Sequence, residues 1–93
     1  MLYIQEISKL VKNLHTEAEI ESFFKELLTE SEIETLSKRW RILKLLTHGY
    51  TQREIEKELQ VSLCKVTRGA KILKNNNSVL AKFLIKEKNN ENN

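Results

Sequence analysis

In the stretch TQREIEKELQVSLCKVTRGAKILK, residues 51–74, the side chains equipped for chemistry are Gln52, Arg53, Lys65, Thr67, Arg68 and Lys71. These are hydrogen-bond donors and cations, groups that hold oxygen anions and the polar edges of flat rings but do not make or break bonds unaided. The rest of the chain adds no catalytic partner. His15 and His48 stand alone, Cys64 is the single cysteine, and the sequence has no Ser/His/Asp set, phosphate-cradling glycine loop or metal-ligand spacing. A binding surface is expected, not an enzyme, and no metal.

Charge is unevenly divided around that stretch. Residues 1–37 carry three lysines against eight glutamates, net −5, whereas residues 38–74 carry ten Lys/Arg against three glutamates, net +7, and residues 75–93 add +1. An acidic front followed by a basic block suits a polyanionic partner for the block alone. Two solvated faces that happen to differ in sign are the plainer alternative.

Ninety-three residues make one domain at most. There is no proline, Gly49 and Gly69 are the only glycines, and Leu, Glu, Lys and Ile dominate, so an all-α fold is expected. A lone cysteine excludes an internal disulfide, and without a signal-type apolar stretch a reducing, cytoplasmic setting is expected. Apolar runs are far too short for a membrane span. Cys64, beside Lys65 and near a helix start, reads either as a thiol of lowered pKa that senses redox state or as a plain outward small residue.

The elements that must position these groups announce themselves by caps. Ile4, Ile7, Leu10, Val11 and Leu14 mark a first amphipathic helix. Thr16 with Glu19, Thr29 with Glu32 and Thr51 with Glu54 are three capping boxes, each preceding a helical apolar pattern. The second helix turns Ile20, Phe23, Phe24, Leu27 and Leu28 inward; the third turns in Ile33, Leu36, Trp40, Leu43 and Leu46, and Gly49 closes it. Trp40 on that stripe reads as a core or dimer-interface aromatic. Asn75–Asn77 break the chain, Ser78 caps a last helix faced by Val79, Leu80, Phe83 and Leu84, and the polar end predicts a disordered tail at 89–93. Residues 1–88 are expected to form a single helical DNA-binding domain.

Residues 51–74 are expected to make a helix-turn-helix. Ile55 and Leu59 face inward from its first helix, Val61 plugs the corner, and Val66 and Gly69 face inward from the second, which Ser62 caps. Gln60 stands at the tight turn where glycine is usual, at a cost of about 1 kcal/mol. The second helix then presents Leu63, Cys64 and Lys65 from its first turn, and Thr67, Arg68 and Lys71 along its outer face. That is how a helix in the major groove meets base edges, while Gln52 and Arg53 at the start of the preceding helix hold phosphate. Leu63 reads equally as a contact for a thymine methyl or as core.

The segments LLTESEIETLSKRWRILKLL (27–46), TQREIEKEL (51–59) and VTRGAKILK (66–74), with FLIKEK closing, resemble the tryptophan-repressor-like family of bacterial regulators over about half of the chain. The resemblance implies a six-helix domain in an intertwined homodimer that binds a palindromic double-stranded DNA operator as a transcriptional repressor, with L-tryptophan as corepressor in the best-known members. It also implies a ligand site: Arg39 and Arg68 on either side of an indole, Thr29 at the ligand's polar end, and Gly69 as the small residue beside it. A guanidinium suits that role because it stacks on an aromatic face and pairs with carboxylate. Without a ligand, both arginines read as phosphate contacts or surface ion pairs. Ile72 stands where Trp repressors carry a small residue near the ligand's amino group, and the stretch from Arg39 to Gln52 is one residue shorter, as in relatives with no assigned corepressor. Two alternatives stay open: a ligand-independent regulator of this family, and a small helical dimer whose basic face binds an acidic protein.

Overall fold

The structure, a computed structural model, describes residues 2–91. Six α-helices follow in order: α1 (Leu2–Lys12), α2 (Glu17–Leu27), α3 (Glu30–Thr47), α4 (Gln52–Leu59), α5 (Leu63–Lys74) and α6 (Val79–Glu91). No strand occurs among the described residues.

The helix starts follow from the capping residues. At α3 the Glu32 N–H donates to the Thr29 hydroxyl (3.1 Å) and the Thr29 N–H to the Glu32 carboxylate (2.9 Å). The same reciprocal pair forms at α4, where Glu54 N–H reaches Thr51 Oγ1 at 3.1 Å and Thr51 N–H reaches Glu54 Oε1 at 3.0 Å. Each pair satisfies donors that a helix start leaves without an intrahelical acceptor. At α2 the box is only half made: Glu19 N–H donates to Thr16 Oγ1, but the Glu19 carboxylate takes the Thr16 hydroxyl instead of its N–H. Ser78 accepts from the Ala81 N–H at 3.0 Å and starts α6. Gly49, at φ +91°, lets the Tyr50 N–H close back on the Leu45 carbonyl at 3.1 Å and ends α3.

The chain divides into two compact units, Met1–Glu34 and Thr35–Asn93, with the division falling inside α3. In the first unit no residue of α1 or α2 is buried. Ile7, Val11, Leu14, Ile20, Phe23 and Leu28 are half-buried, while Ile4, Leu10, Phe24 and Leu27, expected on the inner faces, are exposed. At about 25 cal/mol per Å² of apolar surface removed from water, a unit so open draws little stability from its own chain.

The second unit holds the core. Ile42 and Leu45 of α3, Ile55 of α4, Val61 of the connection and Val66 of α5 form one buried cluster, with Leu46 and Leu59 packed against it. The inner side of α3 is thus broader than the expected stripe: Leu43 is buried as expected, but Leu36 is exposed, and Ile42 and Leu45 are buried as well. The second half of α3 is apolar on more than one side because it serves two neighbours. Ile42, Leu45 and Leu46 meet the α4–α5 pair, and Trp40 meets Phe83 of α6 at a ring-centroid distance of 6.1 Å.

Helix α6 corrects two expectations. Its buried residues are Ala81 and Leu84, while Val79, Leu80 and Phe83 are exposed. It also continues through Glu91 where a disordered tail was expected from residue 89; Asn92 and Asn93 lie outside the described residues. The polar end of the helix is tied to the end of α3 by three contacts. Lys44 pairs with Glu87 (3.3 Å), Lys88 donates to the Thr47 carbonyl (3.0 Å), and His48 Nε2 meets Glu91 (3.1 Å).

Candidate nucleic-acid interface

Helices α4 and α5 are joined by Gln60, Val61 and Ser62 alone. Gln60 adopts the left-handed conformation, φ 53° and ψ 49°, which reverses the chain within one residue. Val61 is buried at the corner and its N–H closes on the Glu56 carbonyl at 3.3 Å. Ser62 then caps α5 by accepting from the Lys65 N–H at 3.4 Å. Ile55 (0% exposed) and Val66 (0% exposed) lock the two helices together from opposite sides of the turn.

Burying Val61, Val66 and Gly69 decides what α5 shows to solvent. Leu63, Cys64, Lys65, Arg68 and Lys71 are all exposed. Leu63, at 42% exposure, is not a core residue, which removes one of its two readings. A large apolar side chain in the first helical turn, followed by Cys64 and Lys65, faces outward beside N–H groups that have no intrahelical acceptor. Arg53 is likewise exposed in the first turn of α4.

Thr67 departs from expectation. It is half-buried, and its hydroxyl donates across the helix pair to Oε1 of the half-buried Gln52 at 3.2 Å. These two residues are therefore brought together, and each fixes the other. The Glu54 carboxyl, one turn into α4, is held below the usual carboxylate range first by the Thr51 N–H and then by the Thr51 hydroxyl. Its charge is engaged in capping the helix start.

The residues of the expected ligand site fall as follows. Arg39 and Arg68 are exposed, and Ile72 is half-buried. Thr29 is exposed and committed to its capping pair with Glu32, whose carboxyl is lowered by that bonding. Gly69 is buried against α3: a Cβ placed on it would lie 2.8 Å from Ile42 Cγ2, 3.4 Å from Leu43 Cδ2 and 3.6 Å from Leu46 Cδ1. Ile42, 2% exposed, lies outside the apolar stripe expected for α3. The available signal was Gly69 itself, since glycine inside a helix costs roughly 0.5–1 kcal/mol and marks a close approach.

Among the described residues no three His, Cys, Asp or Glu side chains converge as a metal site. No helix is long and apolar enough to cross a membrane. A family model described as Trp repressor protein matches residues 3–88. No curated protein and no solved structure matches the chain.

Proposed function

The chain belongs to the Trp repressor protein family, a family of DNA-binding transcription regulators, and on that premise we propose a sequence-specific repressor that binds a two-fold symmetric operator as a homodimer. The observation that carries the reading is the exposed first turn of α5. Leu63, Cys64 and Lys65 stand clear of the core while Val66 and Gly69, on the same helix, are buried. An α-helix so presented fits the major groove, where its leading side chains meet base edges.

In this reading α4 and α5 act as a helix-turn-helix. Lys65 donates to base edges or flanking phosphate, Leu63 covers a thymine methyl, and Cys64 lies against the groove floor. Lys71, further along α5, neutralises phosphate. Arg53 and the first-turn N–H groups of α4 that the Thr51–Glu54 capping box does not engage hold the backbone, and Gln52 fixes Thr67 within the pair. The +7 net charge of residues 38–74 supplies the long-range attraction.

Two observations support the homodimer. Helices α1 and α2 bury no residue, and α6 leaves Val79, Phe83 and Ile85 more than half exposed. A second copy would cover such apolar surface. Two half-sites would then lie about one DNA turn apart, roughly 34–36 Å.

Selection of duplexes from a randomised pool tests the proposal. Enriched sequences should share a two-fold symmetric motif, and Arg53→Ala should weaken binding to selected and scrambled duplexes alike, lowering the salt slope by about 1. Enrichment of nothing, or equal binding to every duplex, would favour the acidic-protein partner instead.

A further inference from the structure

Resting on the regulator reading, we infer that the α4–α5 pair is positioned by direct packing on α3, so that operator binding in this chain does not depend on L-tryptophan. The deciding contact is Gly69 with Ile42. On the side of α5 that faces α3, a single added methyl would already lie 2.8 Å from Ile42 Cγ2. An indole ring in the same place would need about 3.5 Å to the carbons on each of its faces, hence roughly 7 Å between the two helices' facing atoms.

Ile42 cannot easily retreat to make that room. Cγ2 is bonded directly to Cβ, so it moves only with χ1, and a β-branched side chain in a helix has one strongly preferred χ1. The residue is 2% exposed and belongs to the same cluster as Leu45, Ile55, Val61 and Val66. Leu43 and Leu46 close the flanks of Gly69. The Thr67–Gln52 hydrogen bond then ties α5 to α4 independently of α3. One turn further along α5, the half-buried Ile72 puts an apolar group where the resemblance to Trp repressors would place a ligand's amino group, which needs a polar neighbour. The arginines that would flank an indole, Arg39 and Arg68, are both exposed and suited to phosphate.

The test uses the full chain and L-tryptophan itself. Calorimetric titration should give no binding heat, the thermal midpoint should not move at saturating tryptophan, and affinity for the selected operator should agree within about two-fold with and without it. A binding isotherm, or a midpoint raised by tryptophan as linkage requires of any ligand of the folded state, would overturn the inference. Because those two measurements involve no DNA, a flat titration combined with no operator preference would sink the regulator reading and leave the packing inference standing. A methyl exchange probes the contact directly. Gly69→Ala should weaken operator binding by about ten-fold through overpacking, and Ile42→Ala in the same chain should recover most of that loss. Wild-type binding and stability in Gly69→Ala alone would show that the space exists and would contradict the inference.

Discussion

Thr67 on α5 donates its hydroxyl to the side-chain oxygen of Gln52 on α4 at 3.2 Å, so a residue expected to face DNA spends its hydrogen bond within the helix pair. The geometry of α5 relative to α4 is thus held by a polar contact as well as by the buried Ile55, Val61 and Val66.

Thr67→Ala should therefore act through Gln52. We expect a loss of about 0.5–1.5 kcal/mol in stability, and a change in operator preference as Gln52 is freed to bond elsewhere. A double-mutant cycle with Gln52→Ala, read by denaturant unfolding and by operator binding, should show coupling of the two losses; strict additivity would mean that the bond contributes nothing.

Gln60, at φ 53°, is the one non-glycine residue with positive φ among the described residues. Gln60→Gly should relieve that conformation and stabilise the chain by about 1 kcal/mol, offset in part by the greater freedom of glycine in the unfolded state. Urea unfolding measures it, and an unchanged or lower midpoint would refute it.

The ends of the elements were legible because they are written in local chemistry: Thr29 with Glu32, Thr51 with Glu54, Ser62, Ser78 and Gly49 each act within a few residues of themselves. The turn at Gln60 was legible for the same reason. Long-range contacts were not. Ile42 and Leu45 escaped the apolar stripe drawn through Leu36, Trp40 and Leu43, because periodicity finds one inner side and the second half of α3 has more than one. The last turn of α6 reads as polar tail until Glu87, Lys88 and Glu91 meet Lys44, Thr47 and His48 some forty residues earlier. Of the candidate interface, the exposure of its cations was evident from spacing, whereas the inward turn of Thr67 depends on packing that no local pattern encodes.

His48 makes the docking of α6 sensitive to pH. Its Nδ1 meets the Lys44 carbonyl at 2.8 Å and its Nε2 meets the Glu91 carboxylate at 3.1 Å, so only the doubly protonated ring can donate to both. The hydrogen bond to the Lys44 carbonyl first, then that to Glu91, raise the His48 pKa above its ordinary 6.5, opposed by desolvation and, less, by the Lys44 charge. The folded state holds the proton more tightly than the unfolded one. The stabilisation is therefore complete below about pH 6.5 and is lost as pH rises through the raised value. Glu87, Lys44 and Lys88 are the other charged groups where α6 meets the end of α3. Hydrogen exchange at residues 87–91, corrected for intrinsic rate, should show protection that falls with rising pH in the wild type and is flat in His48→Gln; identical profiles would contradict the assignment.

Paired affinity measurements test most directly whether the exposed first turn of α5 reads DNA sequence. At one fixed, near-physiological salt concentration, the chain should bind its selected symmetric duplex at least about 10³-fold more tightly than a scrambled duplex of equal length and composition. Substituting Leu63 and Lys65 together by alanine should erase most of that ratio. Equal affinity of the unmodified chain for the two duplexes would contradict the account.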